Sequence, residues 1–91
     1  MKTFNDLKFV SNPYSEQAIL NFPNGFGISV LCGTLFYSNG IDNYEVAVLK
    51  DNELFYSELT NNDVLGYQSE KQITRLMRKI QRLPKDYESK C

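Results

Sequence analysis

The sequence predicts an α+β fold: a small antiparallel β-sheet of about four strands, connected as a meander, packed against one C-terminal amphipathic α-helix. Three observations predict it. Period-two alternation of apolar residues flanks Asn24-Gly25, the later connectors are too short for a helical crossover, and from residue 69 the apolar spacing changes to the helical period.

The elements follow in order. Residues 1–16 are weakly patterned, with a short strand at 7–10 and a turn signal at Ser11-Asn12-Pro13. In 17–22, Ala18, Leu20 and Phe22 alternate with Ile19 and Asn21; in 26–32, Phe26, Ile28, Val30 and Cys32 alternate with Gly27, Ser29 and Leu31. Asparagine and glycine between them tolerate the positive φ of a tight turn, so the two runs form a hairpin. A second reversal falls in 33–43, around Ser38-Asn39-Gly40. The valine-rich run 44–50 is a third strand, 51–53 a polar turn and 54–57 a fourth strand. Residues 58–68 read as loop, with a single turn around 62–65.

Ser69 is a good N-cap and Gln72, three residues on, completes a capping box. Ile73, Leu76, Met77, Ile80 and Leu83 then mark one face of a helix over 69–83, which Pro84 ends. A sheet of this size needs such a cover, because an isolated meander cannot dry its faces. Gly66-Tyr67, just before the cap, is expected to set the angle at which the helix departs. The chain of 91 residues is expected to be one domain, with its core in 7–84 and a mobile tail over 85–91.

Composition narrows the chemistry. Glycine and proline are sparse and aromatics make up 13% of the chain, which marks a globular sequence rather than a disordered one. There is no histidine and no tryptophan. Without histidine the commonest general base, the Ser-His and Cys-His pairs and the usual zinc sites are all missing. No calcium-loop spacing or phosphate loop appears, so no catalytic residue, metal site or cofactor is expected and the protein is expected not to be an enzyme. Cys32 ends an apolar run and reads as a buried free thiol; Cys91 stands in the tail. Residues 1–10 carry Lys2, Asn5, Asp6 and Lys8 in place of the roughly 7–15 apolar residues of a signal peptide. The most apolar run, 28–37, is too short for a membrane span. The chain is therefore expected to stay in a reducing, intracellular compartment.

Charge is where the sequence points to a partner. The net charge is -1, which excludes a strongly basic nucleic-acid protein and a DNA mimic over the whole chain. Yet Asp42, Glu45, Asp51, Glu53, Glu58, Asp63 and Glu70 stand against the single base Lys50. From there Lys71, Arg75, Arg78, Lys79, Arg82 and Lys85 follow with no acid among them. At about 100° per residue, the first five of these bases lie opposite Ile73, Met77 and Ile80. Two readings of this face stay open. One is a solvated face, helped by the macrodipole near the C-terminus. The other is a contact surface for an anionic partner: an acidic protein, nucleic acid or a second copy's acidic strands. Ordinary solvated faces mix glutamate with lysine at i,i+4, and this one does not. Three of the five are arginines, suited to bidentate contacts with carboxylate or phosphate. The acids, in turn, read as turn and edge residues that keep a small sheet from pairing, or as an imitation of a phosphate path.

The loop 33–43 adds Leu35, Phe36 and Tyr37 in a row. Three large apolar residues in an extended segment cannot all face one core. Either the loop folds back and buries two of them, or part of the triplet is a contact surface. The partner-binding candidates are thus Lys71, Arg75, Arg78, Lys79 and Arg82 with Phe36 and Tyr37.

Three runs carry a resemblance. Asn21-Phe22-Pro23-Asn24-Gly25-Phe26-Gly27-Ile28-Ser29-Val30, Tyr44-Glu45-Val46-Ala47-Val48-Leu49 and Asn62-Asp63-Val64-Leu65-Gly66-Tyr67 resemble, in order and spacing class, a group of small tailed-phage proteins without an assigned activity. The likeness covers roughly residues 20–83. It implies a phage-encoded protein of the host cytoplasm and no catalytic residues. The company such proteins keep implies binding and inhibition of a host or defence protein, of the anti-CRISPR or anti-restriction kind, with nucleic-acid binding through the helix as the alternative.

Overall fold

Alternating residues on either side of the Asn24-Gly25 turn build the centre of the sheet. The structure is a computed structural model and describes residues 1–60 and 64–88. Its strands are β1 (Val10–Ser11), β2 (Glu16–Asn21), β3 (Phe26–Cys32), β4 (Tyr44–Lys50), β5 (Glu53–Leu54) and β6 (Leu65–Gln68), followed by helix α1 (Glu70–Gln81). Short 3-10 turns occupy Phe4–Asp6 and Glu58–Thr60. All pairings are antiparallel; β1 to β5 run in sequence order, and β6 joins β4 beside β5. The expected α+β architecture is therefore present, with six strands instead of about four.

The differences have physical causes. The 7–10 strand is only Val10–Ser11, held to β2 by a turn in which the Asn12 N–H donates to the Ser15 carbonyl at 2.7 Å. The 54–57 strand shrinks to Glu53–Leu54. Asp51 and Asn52 both take positive φ, 51° and 67°, and make the tight reversal before it. Phe55 makes the last bond to this edge of β4, its N–H donating to the Val48 carbonyl at 2.9 Å, and farther along, the edge is taken by β6 within the stretch expected to be loop. Of the turn expected at 62–65, residues 62 and 63 lie outside the described residues, and Leu65 begins β6.

One face of the sheet is the core. Ala18, Phe26, Ile28, Val30, Tyr44, Val46 and Val48 cluster with Ile73, Leu76, Met77 and Ile80 of α1. At one end Phe4, Phe9 and Tyr44 pack with ring centroids 5.2–5.9 Å apart. At the other, Phe26 meets Phe55 at 5.3 Å and Tyr87 at 6.2 Å, and the Lys50 ammonium lies 5.3 Å from the Phe26 ring. Among the described residues no α-helix covers the opposite face, which leaves Val10, Ile19 and Leu54 exposed.

The N-terminal segment and Tyr87 make long-range hydrogen bonds that the sequence does not announce. The Phe4 N–H donates to Thr74 Oγ1 at 3.1 Å, and Lys2 exchanges two hydrogen bonds with Gln81. Within the stretch expected to be tail, the Tyr87 N–H donates to the Pro84 carbonyl, and Lys50 Nζ donates to the Tyr87 carbonyl at 3.2 Å. Cys91 lies outside the described residues.

The helix begins as its cap dictates. Ser69 Oγ accepts from the Gln72 N–H at 3.2 Å, and Gln72 Oε1 accepts from the Ser69 N–H at 2.8 Å. It stops at Arg82, two residues before Pro84. Its end is held from a distance. Asn24 Nδ2 donates to the carbonyls of Ile80 and Leu83, at 2.9 and 3.0 Å, while Asn24 Oδ1 accepts from the Phe26 N–H. Helix C-terminal carbonyls lack intrahelical partners, so this side chain both shapes the hairpin turn and caps α1. Asn24→Ala is expected to cost about 1–3 kcal/mol, lowering Tm by roughly 5–15 °C. An unchanged melting curve would show that the latch does not hold.

Candidate functional site

The five bases of α1 stand where the helical period puts them. Ile73, Leu76, Met77 and Ile80 are buried, and Lys71, Arg75, Arg78, Lys79 and Arg82 are exposed on the other side. Lys71, Arg75, Arg78 and Arg82 follow one another at i, i+4, i+7 and i+11, a straight stripe about 16 Å long at 1.5 Å per residue. None of the five has an ion-pair partner among the described residues. Glu70, in the first turn, is the one acid of the helix.

Two grooves run along this stripe. The first, about 370 Å³, lies between the N-terminal 3-10 turn and α1, walled by Phe4 and Asn5 on one side and by Lys71, Arg75 and Arg78 on the other. The second, about 180 Å³, lies between β6 and α1 and takes in Leu65, Gln68, Arg75 and Lys79. Arg75 reaches both. The sequence did not mark Phe4 and Asn5 as part of any site. Their placement depends on the bond from Phe4 to Thr74, 70 residues away, which no local pattern announces.

Comparison with family models, with curated proteins and with solved structures gives no match.

The loop candidates divide. Leu35 and Tyr37 are 73% and 58% exposed and Phe36 is 36% exposed, so the loop does not fold back to bury two of the three. The reason is a dense internal network. Asn39 Oδ1 accepts from the N–H groups of Ile41, Asp42 and Asn43, and Ser38 Oγ donates to the Asn43 carbonyl while accepting from Gly33 and Gly40. With its backbone satisfied this way, the loop has no need of a core contact. Tyr37 is tied to the start of the helix: its carbonyl accepts from the Tyr67 N–H at 2.8 Å, and the two rings sit 6.4 Å apart. Phe36 stays with its loop, its N–H bonded to the Gly33 carbonyl.

Tyr67 is a residue that reading the sequence missed as a candidate. It is 59% exposed and takes a φ of 54°, a left-handed conformation rare for a bulky side chain. Gly66 beside it packs under Tyr37, where a Cβ would lie 2.7 Å from Tyr37 Cβ. These contacts fix the path from β6 into the Ser69 cap, and they put an exposed tyrosine pair just before the basic helix.

Cys32 is half-buried rather than buried, with its sulfur 3.9 Å from Ser38 Oγ. It lines a cleft of about 530 Å³ between the β1–β2 hairpin and the 33–43 loop. Tyr44 closes the same cleft. Burial pushes its phenol above the ordinary value, and the negative charges of Glu70, Cys32, Asp42 and Glu16 add to the effect. A raised phenol means that the folded state holds its proton more tightly than the unfolded chain. The stabilisation is complete below the unfolded value, near pH 10, and is lost as pH rises through the folded one. Urea titrations should thus show stability falling above about pH 10, and Tyr44→Phe should reduce that fall; identical slopes would contradict it. Among the described residues, no group of His, Cys, Asp and Glu side chains is placed to hold a metal ion, and no helix is long and apolar enough to cross a membrane.

Proposed function

We propose that the protein is a non-enzymatic, phage-encoded binding protein that docks the basic face of α1 on an acidic surface of a host or defence protein and inhibits it, in the manner of anti-CRISPR or anti-restriction factors. The carrying observation is the stripe itself. Four exposed cations stand in line without an ion pair among the described residues, on a helix whose apolar side is already used by the core. The resemblance to small tailed-phage proteins supports the origin and the host cytoplasm as the place of action. Tyr37, Phe36 and Tyr67 supply aromatic surface near or beyond the helix start, and interface energy concentrates in tyrosine and arginine.

Nucleic acid is the competing partner, because phosphates answer to the same sign. Titration of a mixed-sequence duplex across a salt series separates the two. A face neutralising about four phosphates would show a log–log salt slope of roughly -3 to -4. The proposal expects no saturable duplex binding at physiological salt. Tight binding with that steep slope would transfer the function to nucleic acid.

A further inference from the structure

Resting on that reading, we infer that the groove between the N-terminal 3-10 turn and α1 is the seat of an acidic polypeptide segment of the partner, with carboxylates on Lys71, Arg75 and Arg78. The groove has two built walls. Lys2 is bound to Gln81 and Phe4 to Thr74, so the N-terminal segment is strapped along the helix near both ends of the stripe. Phe4 is also packed on Phe9 and Tyr44. The wall opposite the cations is thereby fixed by the core, and the groove exists before any partner arrives.

Charge complementarity names the occupant. Lys71, Arg75 and Arg78 rise along the helix by about 6 and 4.5 Å. Carboxylates at i,i+2 in an extended segment, or at i,i+4 and i,i+7 in a helical one, repeat at comparable distances. The acid at the end of the groove disfavours an anion that must carry charge at every step. Glu70 lines the same cavity, adjacent in sequence to Lys71. A phosphate backbone carries a charge at every step, so a strand engaging Lys71 cannot leave the step nearest Glu70 uncharged. A polypeptide can place a lysine, arginine or neutral residue there instead. Asp6, next to Asn5 in sequence but not lining the groove, already accepts from the Thr3 N–H at 2.8 Å. The overall charge of -1 also disfavours a long polyanion and leaves a short acidic segment as the better fit.

The test titrates isotopically labelled protein with a glutamate-rich peptide of about twelve residues, long enough to span the stripe, and in parallel with a mixed-sequence duplex. Saturable shifts of the Asn5, Lys71, Thr74, Arg75 and Arg78 amides by the peptide are expected, with affinity falling about tenfold or more in an Arg75→Ala/Arg78→Ala variant. Glu70→Gln is expected to raise duplex affinity several-fold and the affinity of the peptide by a smaller factor. Peptide shifts that miss the groove, or a duplex that binds the wild-type groove more tightly than the peptide does, would overturn the inference. Its failure is separable from that of the parent reading. If the groove amides stay still while charge reversal on α1 still abolishes capture of a host protein, only the groove is wrong.

Discussion

Ile80→Asp is expected to leave the protein without a cooperative thermal transition. Ile80 is fully buried between α1 and the sheet, in the same cluster as Phe26, Ile28, Met77 and Val48. Removing an isoleucine side chain from such a site costs about 2–5 kcal/mol. An unpaired carboxylate put in its place adds a desolvation penalty of several kcal/mol more. A domain of this size holds only about 5–13 kcal/mol in total, so the sum is enough to unfold it. The position matters doubly, because the Ile80 carbonyl accepts from Asn24 and ties the helix end to the β2–β3 turn. Circular dichroism during heating reads the result. A sigmoidal melt retained by Ile80→Asp would mean that α1 is not docked through this face. Lys79→Asp is the matched control, because it puts the same carboxylate one residue away on the exposed side of the helix. It should keep a cooperative melt, with Tm lowered by only a few degrees.

Replacing Arg75, Arg78 and Arg82 together by glutamate is expected to weaken partner binding at least about 100-fold while the fold survives. All three are exposed and none contributes to the core. The cost to folding is modest, and its direction can be worked out residue by residue. Glutamate at 75 gains Lys71 and Lys79 as i,i+4 neighbours, whereas glutamates at 78 and 82 repel each other and sit unfavourably near the helix C-terminus. A Tm lowered by a few degrees with lost binding fits a contact surface. Full binding by a folded triple variant would return the stripe to a solvated face.

How much of this was legible in the sequence depends on what holds each part. The β2–β3 hairpin and α1 rest on local patterns, namely alternation around Asn24-Gly25 and a capping box followed by apolar residues at helical spacing, and both lie within a residue or two of their expected limits. β6 does not. Leu65-Gly66-Tyr67-Gln68 has no alternation to speak of and becomes a strand because β4 offers an open edge, with a register irregularity between Tyr44 and Val46. The N-terminal strap and Tyr87 are placed by contacts distant in sequence, from Phe4 to Thr74 and from Lys50 to Tyr87. The same division runs through the candidate site. The basic stripe was visible in helical spacing, whereas the Phe4–Asn5 wall and the strained backbone of Tyr67 depend on tertiary contacts.

The central claim, that α1 presents a surface for an acidic protein partner, is tested most directly by capture from bacterial lysate on the tagged protein after nuclease treatment. The wild type is run beside the triple glutamate variant, and retained proteins are read by mass spectrometry. A discrete host protein held by the wild type after nuclease and absent from the variant is the predicted result. Signal that disappears with nuclease, or a protein retained equally by both, would contradict it.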